Sequence, residues 1–212
     1  MRPVSRAGRA HAGFTLIEAL IAVVIAGILL AIGIPNLALW LAAGRATAGA
    51  EFYAEGVKMA RAEALKHNSA SRILLSANAN GQMDWRVDLC FPSAALPCGM
   101  ASGAWSTQAA SAGADPAGAA GFKSVFRAAD GLPNSSVMAR SLSPAGATDV
   151  YFTSLGWVDT VFAPRLRRID LAPAAGHAGA FPSGAVVITL AGMATRCDPS
   201  VVATGDSRAC PP

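Results

Sequence analysis

Glu18 is the only charged residue in the stretch from Phe14 to Gly44, and residues 19–34 are all apolar or glycine. A carboxylate inside a membrane-spanning segment of this kind costs up to about 2.5–3.5 kcal/mol, so it marks a functional position by default. The four cysteines, Cys90, Cys98, Cys197 and Cys210, offer disulfide or metal chemistry. No CxxC pair is present, and His11, His67 and His177 are scattered, so the spacing does not suit zinc and no metal is expected. Arg165, Arg167 and Arg168 cluster, with Arg196 and Arg208 nearer the end. Such a cluster is either a solvated edge or a set of phosphate contacts. Serines and aspartates are common, but none sits in a nucleophile elbow or beside a plausible base. Neither an enzyme nor a cofactor is expected.

The elements that position these residues follow from charge and hydropathy. The chain has 212 residues, 53% hydrophobic and 14% charged, with a formal net charge of +4. That composition excludes a disordered chain and allows one domain with an appendage. The positive charge is uneven. Residues 1–13 carry Arg2, Arg6 and Arg9 and no acid, leaving 14 basic against 13 acidic residues in the rest. A bilayer core of about 30 Å takes about 20 helical residues, and residues 14–40 supply them. Basic residues before such a segment hold that end in the cytoplasm and send the remainder to the other side.

A helix is expected over residues 14–67, loosened at Pro35, where a backbone hydrogen bond is lost. Its first half, residues 14–44, would span the membrane. In its second half, residues 45–68, Tyr53, Val57, Ala60 and Ala64 form an apolar stripe opposite Glu51, Glu55, Lys58 and Lys66. Past Asn68 the period changes from 3.6 to 2. Strands are expected over residues 71–77, 84–91, 122–128, 137–142, 149–153, 166–171 and 185–190. Residues 92–121 contain one charge, Asp115, and read as a long loop. The fold class is α+β: a long helix packed on a mostly antiparallel β head, residues 69–212.

The segment Gly13-Phe14-Thr15-Leu16-Ile17-Glu18, after a basic leader and before a long apolar helix, strongly resembles the class III signal of type IV pilins and pseudopilins. The resemblance implies cleavage between Gly13 and Phe14 by prepilin peptidase, N-methylation of Phe14, and a type IV pilin-like fold. It also implies that Glu18 of one subunit pairs with the terminal amine of a neighbour, so that both charges are buried together. Met59 to Asn68 is similar to the helix end of the GspH/FimT family of minor pseudopilins and minor pilins, and Phe152 to Gly156 looks like that family's turn after a strand. The implied function is a minor subunit of a type II secretion pseudopilus or a type IV pilus. It would be held in the inner membrane with its N-terminus cytoplasmic and its head periplasmic, with other pilins as partners.

Such a head lies in an oxidising compartment. Four cysteines allow three connectivities, and the local pairs Cys90–Cys98 and Cys197–Cys210 are the expected ones. Both placements look like cysteine-bearing members of the FimT-like branch. DNA is the alternative partner, through Arg165, Arg167, Arg168 and Arg196. Some FimT-like minor pilins bind DNA through Gly-Arg-x-Arg before a C-terminal cysteine. Here that stretch reads Gly192-Met193-Ala194-Thr195-Arg196-Cys197, with Met193 and Thr195 in the arginine positions.

Overall fold

The computed structural model describes residues 15–101, 104–203 and 205–211. It divides into two compact units, residues 1–40 and residues 41–212. In the first, helix α1 (Leu16–His67) begins, and it passes into the second. Leu16–Ile34 is long and apolar enough to cross a membrane, and its described side chains are exposed. The first turn is capped by Thr15, whose Oγ1 accepts the backbone N–H of Glu18 at 3.3 Å. A Thr three residues before a Glu is the pattern of a capping box.

In the second unit the apolar stripe of α1 is the spine of the core. Tyr53, Val57, Ala60 and Ala64 are fully buried, joined by Ala46, Ala50 and Ala54. Small residues on this face let sheet side chains approach the helix closely. Gly56 is the tightest such point: a Cβ there would lie 2.7 Å from Ile73 Cδ1 and 2.9 Å from the Trp85 ring. Gly→Ala inside a helix ordinarily gains about 1 kcal/mol. Here Gly56→Ala is expected to lose about 1–3 kcal/mol through overpacking, the opposite sign, in urea unfolding of the purified chain. The helix ends in a Schellman turn. Asn68 takes φ 47°, its N–H bonds Leu65 O at 3.3 Å, and the Ser69 N–H bonds Ala64 O at 3.1 Å.

Among the described residues eight strands follow: β1 (Ala70–Ala77), β2 (Met83–Cys90), β3 (Val125–Arg127), β4 (Met138–Ser143), β5 (Asp149–Phe152), β6 (Arg168–Pro173), β7 (Gly184–Ile188) and β8 (Ala194–Cys197). They form two antiparallel four-stranded sheets, ordered β3-β2-β1-β5 and β4-β6-β7-β8. Ile73, Trp85, Val87, Val150 and Phe152 from the first sheet and Met138, Ile169, Leu171, Val186 and Ile188 from the second enclose the helix stripe in one core. The architecture is therefore α+β and pilin-like, with the second half of α1 packed on antiparallel sheets. Seven strands fall on the expected segments. The eighth, β8, is a four-residue strand at a sheet edge, outside those segments.

Tyr53 ties the helix to β2: its Oη accepts the Met83 N–H at 3.1 Å. Burial raises its phenol above the ordinary value of 10.0, with a smaller opposing effect from that hydrogen bond. Folding thus favours the neutral form. The contribution is complete below the unfolded-state value and is lost as the pH climbs through the raised folded-state value. Above pH 10 the stability of the head is expected to fall less steeply in Tyr53→Phe than in the parent chain, measured as urea midpoints across alkaline pH.

Candidate functional site

Three regions carry chemistry. The first is the start of α1. Gly13 and Phe14 lie outside the described residues. Glu18 is exposed in the first helical turn, where the helix dipole favours a negative charge. It has no cationic partner among the described residues, and the side chains that follow it through Ile34 are apolar, small or both.

The second region is the outer face of the first sheet. Strict alternation along β2 would leave Asp88 and Cys90 in solvent, yet both are fully buried. The reason is a cover laid down by residues 104–106, within the segment 92–121. Trp105 forms a bridge with Cys90, and its ring stacks 4.3 Å from the Arg72 guanidinium. The Ser106 N–H bonds Leu89 O at 2.8 Å, while Ser106 Oγ accepts the Leu89 N–H at 2.9 Å. Cys90 and Cys98 are joined by a disulfide at the start of this segment. Asp88 is gripped from two sides, by Arg72 Nε at 2.9 Å and by Arg86 Nε at 2.8 Å. Tyr151 lies opposite Arg72 in the adjacent strand and packs edge-on against Trp105 and at a tilt against Phe162, with ring centroids 4.3 Å apart. This polar centre was not apparent from the sequence; the only hint was Arg72, Arg86 and Asp88 lying on two neighbouring strands.

The third region is the second sheet and the tail, where the arginines lie. They do not form one track. Arg168 pairs with Asp170 at 2.6 Å. Cross-strand register places Arg168 in a row with Val187 and Thr195, and Arg196 in a row with Val186 and buried Ile169. Residues in one row share a face, and successive rows alternate faces. Arg168 therefore points outward, and Arg196 points toward the helix, where it pairs with Glu51. Arg165 and Arg167 line a separate cavity of about 340 Å³ with Val158, Leu190 and Pro211. Arg208 binds Asp206 at 2.8 Å, and these hydrogen bonds hold the Asp206 carboxyl down to about 2.

A second cavity, about 520 Å³, lies between α1 and the tail, with Ala46, Ala50 and Leu171 as its floor and Arg196 and Arg208 at its rim. The Cys197–Cys210 disulfide closes the 13-residue separation that builds its far wall. Closing a loop of this length contributes about 3 kcal/mol in the chain-entropy account. Cys197→Ser/Cys210→Ser is accordingly expected to lose about 2–4 kcal/mol in urea unfolding. Among the described residues no group of His, Cys, Asp and Glu could hold a metal ion.

Comparison with known proteins agrees with the first region. Residues 8–34 match the family model of the prokaryotic N-terminal methylation motif. No curated protein and no solved structure matches the chain. The motif implies processing by prepilin peptidase and assembly with other pilins, and points to a structural subunit rather than an enzyme. At its N-terminus, then, the chain is similar to type IV pilin-like precursors, and the motif and the apolar helix together fit a protein with a single-pass inner-membrane anchor.

Proposed function

We propose that the chain is a minor pilin or pseudopilin of the GspH/FimT type. Residues 1–13 are removed by cleavage between Gly13 and Phe14, Phe14 is methylated, and the head faces the periplasm. The subunit enters a type IV pilus or a type II secretion pseudopilus, where it supports pilus assembly or protein secretion. The observation that carries this reading is the lone carboxylate, Glu18, inside the matched segment of residues 8–34, at the start of a helix that continues into the core of a β head. In this reading the new terminal amine of Phe14 stands four residues before Glu18 in the sequence, and the two charges pair between neighbouring subunits.

The arginines favour protein assembly over DNA uptake, because Arg168 and Arg196 are already neutralised by Asp170 and Glu51. The test is cleavage. Gly13→Ala is expected to leave the chain 13 residues longer than the parent in cells with active prepilin peptidase. An unchanged size, read by intact-mass spectrometry, would refute the reading. Deletion of the gene then separates the two systems: loss of exoprotein secretion marks the pseudopilus, and loss of twitching or transformation marks the pilus.

A further inference from the structure

Two turns of the head abut beside the last turns of α1. In one, the Thr153 N–H bonds Trp157 O at 2.8 Å and Gly156 takes φ +72°. In the other, the Thr189 N–H bonds Met193 O at 3.0 Å and Gly192 takes φ +77°. Their backbones touch: a Cβ on Gly192 would lie 2.2 Å from Gly156 O. Arg61 of the helix fixes the junction, its Nε donating to Gly156 O at 3.1 Å, and the Val158 N–H bonds Leu190 O at 2.9 Å. The turns are therefore held rigidly, yet their side chains point into solvent. Leu155 is 69% exposed, Trp157 63%, Leu190 55% and Met193 50%.

A rigid, contiguous group of large apolar side chains is costly to leave in water and marks an interaction surface. Trp, Met and Arg are also the residue types enriched where proteins meet. The charge at its edge says what kind of partner fits. Leu190 shares the 340 Å³ cavity with Arg165 and Arg167, neither of which has an acidic partner among the described residues. Two unpaired guanidinium groups beside an apolar patch complement carboxylates beside an apolar side chain. Of the helix acids in the head, Glu51 and Glu63 pair with Arg196 and Lys66, which leaves Glu55 as a single carboxylate lining a groove with Lys58 rather than a flanking set. Two free cations with mostly aliphatic neighbours also make a poor track for a nucleic acid, which needs several phosphate contacts.

We propose that Leu155, Trp157, Leu190 and Met193, edged by Arg165 and Arg167, form a docking site for a different protein that presents an apolar side chain flanked by carboxylates. The site stands on the head alone, whether or not the chain assembles through Glu18.

The test uses the full-length chain in the cells that make it, with the photo-crosslinking amino acid p-benzoylphenylalanine in place of Trp157. A control chain carries the same group at Glu55, on the exposed face of the helix. The site predicts an adduct at 157 and not at 55, mapping by peptide mass spectrometry to a segment of another protein rich in Asp or Glu. In Arg165→Glu/Arg167→Glu its yield should fall by about tenfold or more, while Arg165→Lys/Arg167→Lys retains most of it. Thermal melting of each variant confirms that the head remains folded. No adduct at 157, equal adducts at both positions, an adduct to lipid, DNA or a second copy, or a yield indifferent to charge reversal would each overturn the proposal.

Discussion

Asp88→Ala is expected to destabilise the head by about 3–5 kcal/mol, because it leaves a charge without its partner away from water. Asp88 is fully buried, and Arg72, one of its two partners, is only 12% exposed beneath the Trp105 ring. Removing the carboxylate strands the Arg72 guanidinium there, while Arg86, at 38% exposure, can turn to solvent. A domain has only about 5–15 kcal/mol of stability in total, so the variant should accumulate poorly. Asp88→Asn keeps one acceptor oxygen and should lose less. The double variant Asp88→Ala/Arg72→Met removes both charges and should recover part of the loss, because an apolar pair of similar volume suits the site. Urea unfolding of the four proteins checks the order. Equal stability of Asp88→Ala and the parent would show that the ion pairs contribute nothing.

The second large effect concerns assembly. In the subunit reading proposed above, Glu18→Ala should abolish incorporation into the filament while the chain still reaches the membrane. Breaking a buried charge pair by removing one partner costs about 3–5 kcal/mol, more than about a hundredfold in association. Helix capping is a competing role: the Glu18 backbone N–H bonds Thr15 Oγ1, and in a capping box the glutamate side chain bonds the Thr N–H in return. Glu18→Gln separates the two. Glutamine serves a capping box as well as glutamate does, but carries no charge. Loss of incorporation in both variants, measured by co-purification with sheared filaments or by crosslinking to other pilins, assigns the effect to charge. Full incorporation of Glu18→Gln would leave only the cap.

Much of the architecture was legible from periodicity. The stripe Tyr53, Val57, Ala60 and Ala64 is a face of α1 in the structure and lies at its core. Strands β1, β4 and β6 show the alternation that burial on one face imposes. The failures share one cause. Alternation along β2 expects Asp88 in solvent, but residues 104–106, far along the chain, cover that face. A second buried face leaves no local period to read. The arginines illustrate the same limit. Arg165, Arg167 and Arg168 cluster in the sequence and Arg196 lies apart near the tail, but which face a strand residue takes depends on register. Register puts Arg168 on one face and Arg196 on the other, each beside an acid.

By itself the sequence determined what depends on neighbours in the chain: the apolar helix with its single carboxylate, the leader-like motif, the helical stripe and the strand periods. These are set by side-chain spacing against a 3.6 or 2.0 repeat and by the cost of charge in an apolar phase. Only the tertiary structure decided which faces were covered twice, which arginines found acids and which stayed free. It also brought residues 153–157 and 189–193 together into one exposed apolar patch. Contacts between residues distant in sequence are chosen by packing and register across the whole head, and no local pattern encodes them.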